Sequence, residues 1–433
     1  MKAWTRTKLG DQVSTQKGFA FKSKWYQVTG KPIVRVSDFT DDAVNSSKLV
    51  CIPETVASDY LKYELVAGDV VVQTVGSWPS NPASVVGKCV KIPSSIAGAL
   101  LNQNAVKLSR TKDLNRQFLF YLLRSDDFKT YIIGTAQGAA SQAAITLESI
   151  YGYEFNLPPP AVQQSTVSIL SAYDNLIEIN TRRIAILEEM ARRLFEEWFM
   201  KFRFPGHGAV KVNKTEIGFA PEGWRIRPIS EAFEVLGGGT PSKAILEYWI
   251  DGEINWYTPT DLTGARTSFI EASAKKITAR GLAESSARLF PAYSVMMTSR
   301  ATLGVIAINT TGAATNQGFI TCIPNEHMPL FFLYHFLRAN EDEFERHASG
   351  ATFKEITKGT FKKLPILLPS KDLTLRFEAM VSPMMHSSRM LQAANTNLRA
   401  ARDLLLPKLI SGEIDLTGMG RHIDLAADRV AAE

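Results

Sequence analysis

The sequence predicts an α+β protein in which two similar mixed α/β domains are joined by two long antiparallel helices, a coiled coil, in a pseudo-two-fold internal repeat. Three observations predict it. Residues 161 to 200 contain neither Gly nor Pro and carry apolar side chains at alternating steps of three and four. The order of features in residues 1 to 157 returns after residue 204, and the second copy also runs into a long helical stretch, 371 to 410. The expected division is 1–157 for the first domain, 158–204 for the central helix, 205–369 for the second domain, 370–412 for the second helix and 413–433 for a polar tail.

Taken in order, the first domain shows short β-type runs at 31–39, 68–76 and 85–92, broken by Gly, Pro and Asn, and then a helical run over 116–132. Leu157-Pro158-Pro159-Pro160 ends it, and Pro at the first turn is a favoured way to launch a helix. The seam of that helix runs Leu170, Tyr173, Ile177, then polar Asn180, then Ile184, Leu187, Ala191, Leu194 and Trp198. Asn180 is either a register-setting buried polar residue or a hydrated surface position. At 1.5 Å per residue the helix is roughly 60 Å long, too long for one small domain, and it needs a partner. Pro205, Gly206 and Gly208 stop it.

Beyond that stop, the turn at Lys17-Gly18 is answered by Gly237-Gly238-Gly239, and the strand Ile33 to Asp38 by Ile254 to Asp261. Asn102-Gln103 is answered by Asn316-Gln317, FLFYLLR at 118–124 by FLYHFLR at 332–338, GAASQAAIT at 138–146 by GATFKEIT at 350–357, and Leu157-Pro158 by Leu368-Pro369. The second helical run repeats the alternating spacing through Met380, Met384, Ser387, Leu391, Ala394, Leu398, Ala401 and Leu405. Pro383 and Pro407 lie inside it and are expected to kink or fray it. One unit of roughly 210 residues is therefore written twice. The cheapest apolar surface for each helix is the other copy, which makes the pair a spacer between two heads.

Two similar heads at a fixed spacing suit two half-sites on duplex DNA, where protein and DNA dyads coincide. Net charge is +6 with a pI near 9.0, and residues 1–157 carry most of the excess, which a polyanion or plain solvation explains equally well. In the first head Lys22 and Lys24 interleave with Phe19, Phe21, Trp25 and Tyr26, with Lys17 and Arg35 nearby. In the second, Thr240, Ser242 and Lys243 follow the glycine turn, and a loop offers Ser299, Arg300 and Thr302. For each of these a solvated or structural role competes with DNA contact.

Little else in the sequence points to chemistry. The three cysteines (Cys51, Cys89 and Cys322) and the six histidines are too scattered for a metal or redox motif, so buried thiols and no metal are expected. The triple glycine is more simply a turn than a phosphate cradle, because no Lys-Ser/Thr helix start follows. The pairs Glu188-Glu189, Arg192-Arg193 and Glu196-Glu197 form either a docking face or a solvated one. No apolar run is long enough to span a membrane and the amino terminus has no apolar signal core, so a cytoplasmic protein is expected. The competing reading is a self-contained DNA-modifying enzyme, a methyltransferase or nuclease. Asn156-Leu157-Pro158-Pro159 is a poor match to the Asn/Asp-Pro-Pro-aromatic pattern of amino-methyltransferases, since Leu157 interrupts it, and no cofactor loop or carboxylate cluster accompanies it.

The duplicated layout, GFAFKSK at 18–24, the Gly-Ala…Ile stretch, the Leu-Pro-Pro-Pro-x-x-Gln-Gln helix start and the closing LLLPKLISGEI together resemble the specificity subunits of type I restriction-modification systems, over roughly residues 1 to 415. Gln163-Gln164 departs from the Glu-Gln more usual there. The resemblance implies two target recognition domains that read an asymmetric bipartite site, on a chain that is not itself an enzyme and holds no cofactor. It further implies two partner methyltransferase subunits that use S-adenosylmethionine on adenine, and ATP-driven motor-nuclease subunits that cut unmodified DNA.

Overall fold

The computed structural model describes residues 4–40, 43–46, 49–79, 85–111, 113–139, 142–216, 218–265, 267–350 and 354–416. Parts of the two Gly-Ala stretches (140–141 and 351–353) and most of the polar tail (417–433) lie outside the described residues. The chain divides into two compact units, Met1–Ile177 with Asn397–Glu433, and Glu178–Thr396. The division falls within both long helices, so each unit holds one set of strands and a length of each helix.

In the first unit a four-stranded antiparallel sheet has the order Val13–Lys17, Ala105–Arg110, Val70–Gln73, Cys89–Lys91. Val70, Val71 and Val72 are wholly buried, which explains an uninterrupted apolar run in place of alternation. A second sheet centres on Lys31–Val34, antiparallel to Cys51–Ile52 and parallel to Leu100–Leu101. A ribbon of Thr5–Lys8 against Glu154–Leu157 delivers the chain to the proline run. Helix Arg116–Arg124, capped by Asn115 accepting from the Gln117 and Phe118 amides, buries every side chain from Phe118 to Leu123.

The second unit repeats the two sheets and the ribbon, and adds a hairpin of Val212–Thr215 with Gly218–Pro221. Its large sheet runs Glu234–Gly237, Phe319–Ile323, Val295–Thr298, Ile306–Asn309, with one further parallel edge strand, Phe269–Ile270. Its small sheet centres on Ile254–Tyr257, antiparallel to Lys276–Ile277 and parallel to Ala313–Thr315. Its ribbon pairs Arg225–Pro228 with Pro365–Leu368, just before the second long helix. The internal repeat is thus a repeat of topology, down to the one parallel pair in each small sheet.

The first long helix is α-helical over Pro160–Phe195 and closes in a π-turn, Glu196–Met200. The second runs without a break from Lys371 to Ser411. Pro383 and Pro407 therefore do not fray it. Both prolines are exposed, as are Ala379 and Asp403 one turn earlier, so the carbonyls that lose a donor face water.

The first seam follows the predicted line: Leu170, Ile177, Ala191 and Trp198 are buried, and Tyr173, Ile184, Leu187 and Leu194 are half-buried. On the second helix the buried line lies one residue later than the apolar spacing predicts. It passes through Val381, Met385, Ser388, Asn395, Arg402, Leu406 and Leu409, and leaves Leu391, Leu398 and Leu405 half-buried on its flank. The reason is chemical, since its middle positions are polar and satisfied across the pair. Ser388 Oγ donates to Glu188 Oε1 at 2.8 Å, Asn180 Nδ2 donates to Asn395 Oδ1 at 3.0 Å, and Asn395 Nδ2 donates to Thr181 at 3.2 Å. In the first unit the Arg402 guanidinium, 3% exposed, meets Asp174 at 2.7 Å. Pairing of 180 with 395 and 188 with 388 makes the helices antiparallel.

Each long helix is also fastened to its own head. Gln163, fully buried, accepts from the Asn115 amide and donates to the carbonyls of Asp113 and Pro158. A glutamate there has no N–H to donate, which accounts for glutamine at this position. In the second unit Glu378 accepts from the Phe331 and Phe332 amides and so caps helix Leu330–Ala339, while Phe195, Phe199, Phe332 and Phe377 pack together at ring distances of 4.8–6.2 Å.

Candidate nucleic-acid interface

The interface candidates lie on turns, loops and strand ends of each unit. In the first unit Lys17 ends a strand of the large sheet and is exposed, and Lys22 and Lys24 flank and occupy the short 3₁₀ turn Ser23–Trp25, also exposed. The Lys22 ammonium sits 5.5 Å from the Trp25 ring centre. Phe19 and Phe21 pack with Tyr60 at 4.5 and 5.4 Å, and Phe19 reaches Tyr63 at 5.3 Å. The turn Ser58–Tyr63 thus adds Tyr60, Tyr63 and the exposed Lys62, which lies 5.0 Å from the Tyr63 ring, to the patch named from sequence. Their signal was present in SDYLKY, where two tyrosines bracket a lysine, but only the fold brings that stretch to Phe19. Arg35 is different: its side chain is clamped by Asp38 through two hydrogen bonds of 3.1 and 3.2 Å, so its charge is neutralised locally.

In the second unit Thr240 is half-buried and donates to Gln317, while Ser242 and Lys243 are exposed. Lys243 joins Lys275 and Lys276 around a cavity of about 430 Å³ walled by Leu246 and Trp249. The Trp249 indole is held by its N–H to the Ser242 carbonyl and by an edge contact with Trp256 at 5.0 Å. Lys275, Lys276 and Trp249 were not singled out from sequence; they converge only because strand Lys276–Ile277 borders Ile254–Tyr257. Of the loop residues, Arg300 and Thr302 are exposed, with Arg300 3.6 Å from Glu355, whereas Ser299 is buried and its backbone ties Gly318 to Ile356. Ser299 is a structural residue. Each patch therefore sets ammonium groups beside aromatic rings, a combination able to bind a polyanion, and the two differ in composition.

The chain's other reactive groups are quiet. All three cysteines are buried and free, and burial pushes the Cys89 thiol up to about 12 and the Cys322 thiol up as well. Among the described residues no three His, Cys, Asp or Glu side chains are grouped to hold a metal, and no helix is long and apolar enough to cross a membrane. On the outer face of the first long helix Arg192 and Arg193 bond Glu189 and hold its carboxyl down at about 2, so these charges are paired along the helix.

Comparison with known proteins follows the same two-copy layout. The family described as the type I restriction modification DNA specificity domain matches residues 1–189 and 221–373. The chain belongs to this family. Its relatives carry the name specificity subunit. The MjaIX specificity subunit of Methanocaldococcus jannaschii is 35% identical over 177 residues, a match spanning 40% of each chain, so less than half the length of that relative. The HindI specificity subunit of Haemophilus influenzae is 25% identical over 359 residues, 69% of this chain and 77% of its own. The crystal structure of a type I restriction-modification S subunit from M. genitalium superposes with a TM-score of 0.56 at 16% identity, covering 94% of this chain and 96% of that one, and so shares its fold.

Proposed function

We propose that this specificity subunit reads an asymmetric, bipartite duplex DNA site, one half-site per target recognition domain, with the unread gap set by the helix pair. The observation that carries the reading is the repeat itself: one sheet topology built twice, with different side chains on equivalent surfaces. Identical scaffolds bring two heads to DNA in the same way, and unlike surfaces read unlike sequences. The recognition domains are residues 1–157 and 205–369, with 158–204 and 370–412 as spacers and 413–433 as a tail. The DNA-facing residues we assign are Lys17, Lys22, Lys24, Lys62, Ser242, Lys243, Lys275, Arg300 and Thr302.

The subunit works in the cytoplasm, where two methyltransferase subunits dock on it and modify adenine with S-adenosylmethionine, and motor-nuclease subunits join to cut unmodified DNA with ATP. Its own contribution is to place those subunits. Reconstitution with partner methyltransferase subunits tests this: duplex binding and methylation should be confined to one bipartite site, and binding should weaken steeply with salt. Methyl transfer by this chain alone would instead support a self-contained enzyme.

A further inference from the structure

We propose that Gln103 and Gln317 are paired base-reading residues, one in each recognition domain. The inference rests on the DNA-reading function proposed above and adds the side chains that carry sequence information. Both glutamines hold the same place in the repeat. Each opens the two-residue turn that leaves the parallel strand of the small sheet, Leu100–Leu101 or Ala313–Thr315, and enters the strand second from the edge of the large sheet, Ala105–Arg110 or Phe319–Ile323. The turn is therefore pinned by two sheets at once.

The preceding asparagine does the structural work in both copies. Asn102 is buried, with its Oδ1 accepting from the Gln103 amide and its Nδ2 donating to the Tyr26 hydroxyl; Asn316 Oδ1 accepts from the Gly318 amide. A glycine then packs against each asparagine carbonyl. A Cβ on Gly18 would lie 1.9 Å from Asn102 O, and one on Gly238 would lie 2.0 Å from Asn316 O, so only glycine permits the approach. This rigid frame projects an exposed glutamine in each copy. Gln103 stands beside the aromatic patch, its backbone amide donating to the Phe19 carbonyl at 2.9 Å, and Gln317 stands beside Thr240, next to Ser242 and Lys243.

A primary amide on a fixed backbone offers one donor and one acceptor side by side, the pair that matches the N6 and N7 edge of adenine in the major groove. The two copies differ in what they still offer. No described residue hydrogen-bonds the Gln103 side chain, so it presents both groups, whereas the Gln317 carbonyl oxygen already accepts from the Thr240 hydroxyl, which occupies one of its two lone pairs and leaves the amide N–H donors as its freer groups. Gln103 accordingly suits adenine, and Gln317 suits an acceptor edge such as guanine O6/N7 or thymine O4.

The test uses the complex reconstituted with partner methyltransferase subunits, wild type against Gln103→Ala and Gln317→Ala, with methylated adenines mapped across a genome and oligonucleotide competition at fixed salt. Each variant should lose about tenfold or more discrimination at one base position of one half-site, and leave the other half-site unchanged. Because both side chains are exposed, the variants should melt as wild type does, and Thr240→Val should change readout at the Gln317 position only. An unaltered target in both glutamine variants, uniform weakening without altered sequence preference, or a change in both half-sites from one variant would overturn the inference. If the wild-type complex itself shows no specific site, the DNA-reading function fails instead.

Discussion

Single side chains decide local questions that spacing leaves open. His335 is 3% exposed, lies among Phe195, Phe377 and Tyr334, and has both ring nitrogens without a partner among the described residues. Burial, with Arg338 and Arg192 adding repulsion, depresses its pKa to about 3. A base with a folded pKa below its unfolded value takes up protons on unfolding, so its effect is absent above about pH 6.5 and stability falls as pH drops from there toward about 3. His335→Phe should remove that term: between pH 7 and 5 the wild type should lose about 2 kcal/mol more than the variant, read as the difference in calorimetric melting shifts. Equal shifts would show that the imidazole is hydrated.

At the scale of elements, the helix pair is held by polar crossings as much as by its apolar seam. Arg402 bonds Asp174, itself an acceptor for the Tyr121 hydroxyl at 2.6 Å, and also touches Asp403, whose side chain is 56% exposed. Removing one partner of a buried ion pair strands the other, so Arg402→Ala should cost about 3 kcal/mol, while Asp403→Ala should cost less than about 1 kcal/mol. Denaturant midpoints of the two variants measure the contrast. If they are equal, the Asp174 contact contributes nothing beyond a surface pair. Asn180 and Asn395 resolve the choice left open by sequence in favour of a buried polar contact, the kind of residue that specifies register in coiled coils.

For the whole molecule, the repeat makes two predictions about DNA. Inserting one heptad at Glu188 and one at Ser388 keeps the seam in phase and adds about 10 Å of helix. On the proposed reading the unread gap should lengthen by up to roughly three base pairs, while both half-sites stay the same. Methylation mapping of the insertion complex checks this, and an unchanged gap with both half-sites read would show that the helices do not set the spacing. Exchanging residues 1–157 for the first domain of another family member should change one half-site only. A change in both would refute independent heads.

By itself the sequence determined the architecture: the heptad steps of 161–200, the Leu-Pro boundaries and the ordered recurrence of features already imply two α/β heads and two helices, because periodicity and punctuation are local properties of the chain. It also located the Lys22–Trp25 patch, since those residues are neighbours in sequence. Only the tertiary structure decided what depends on residues far apart. It moved the second seam by one position, because Ser388, Asn395 and Arg402 are buried through partners some two hundred residues away, and it carried the helix through Pro383 on a water-facing side. It also brought Tyr60, Lys62 and Tyr63 to Phe19, took Arg35 and Ser299 out of the exposed set, and placed Gln103 and Gln317 on matching turns. Exposure and long-range pairing are properties of packing, which no local pattern encodes.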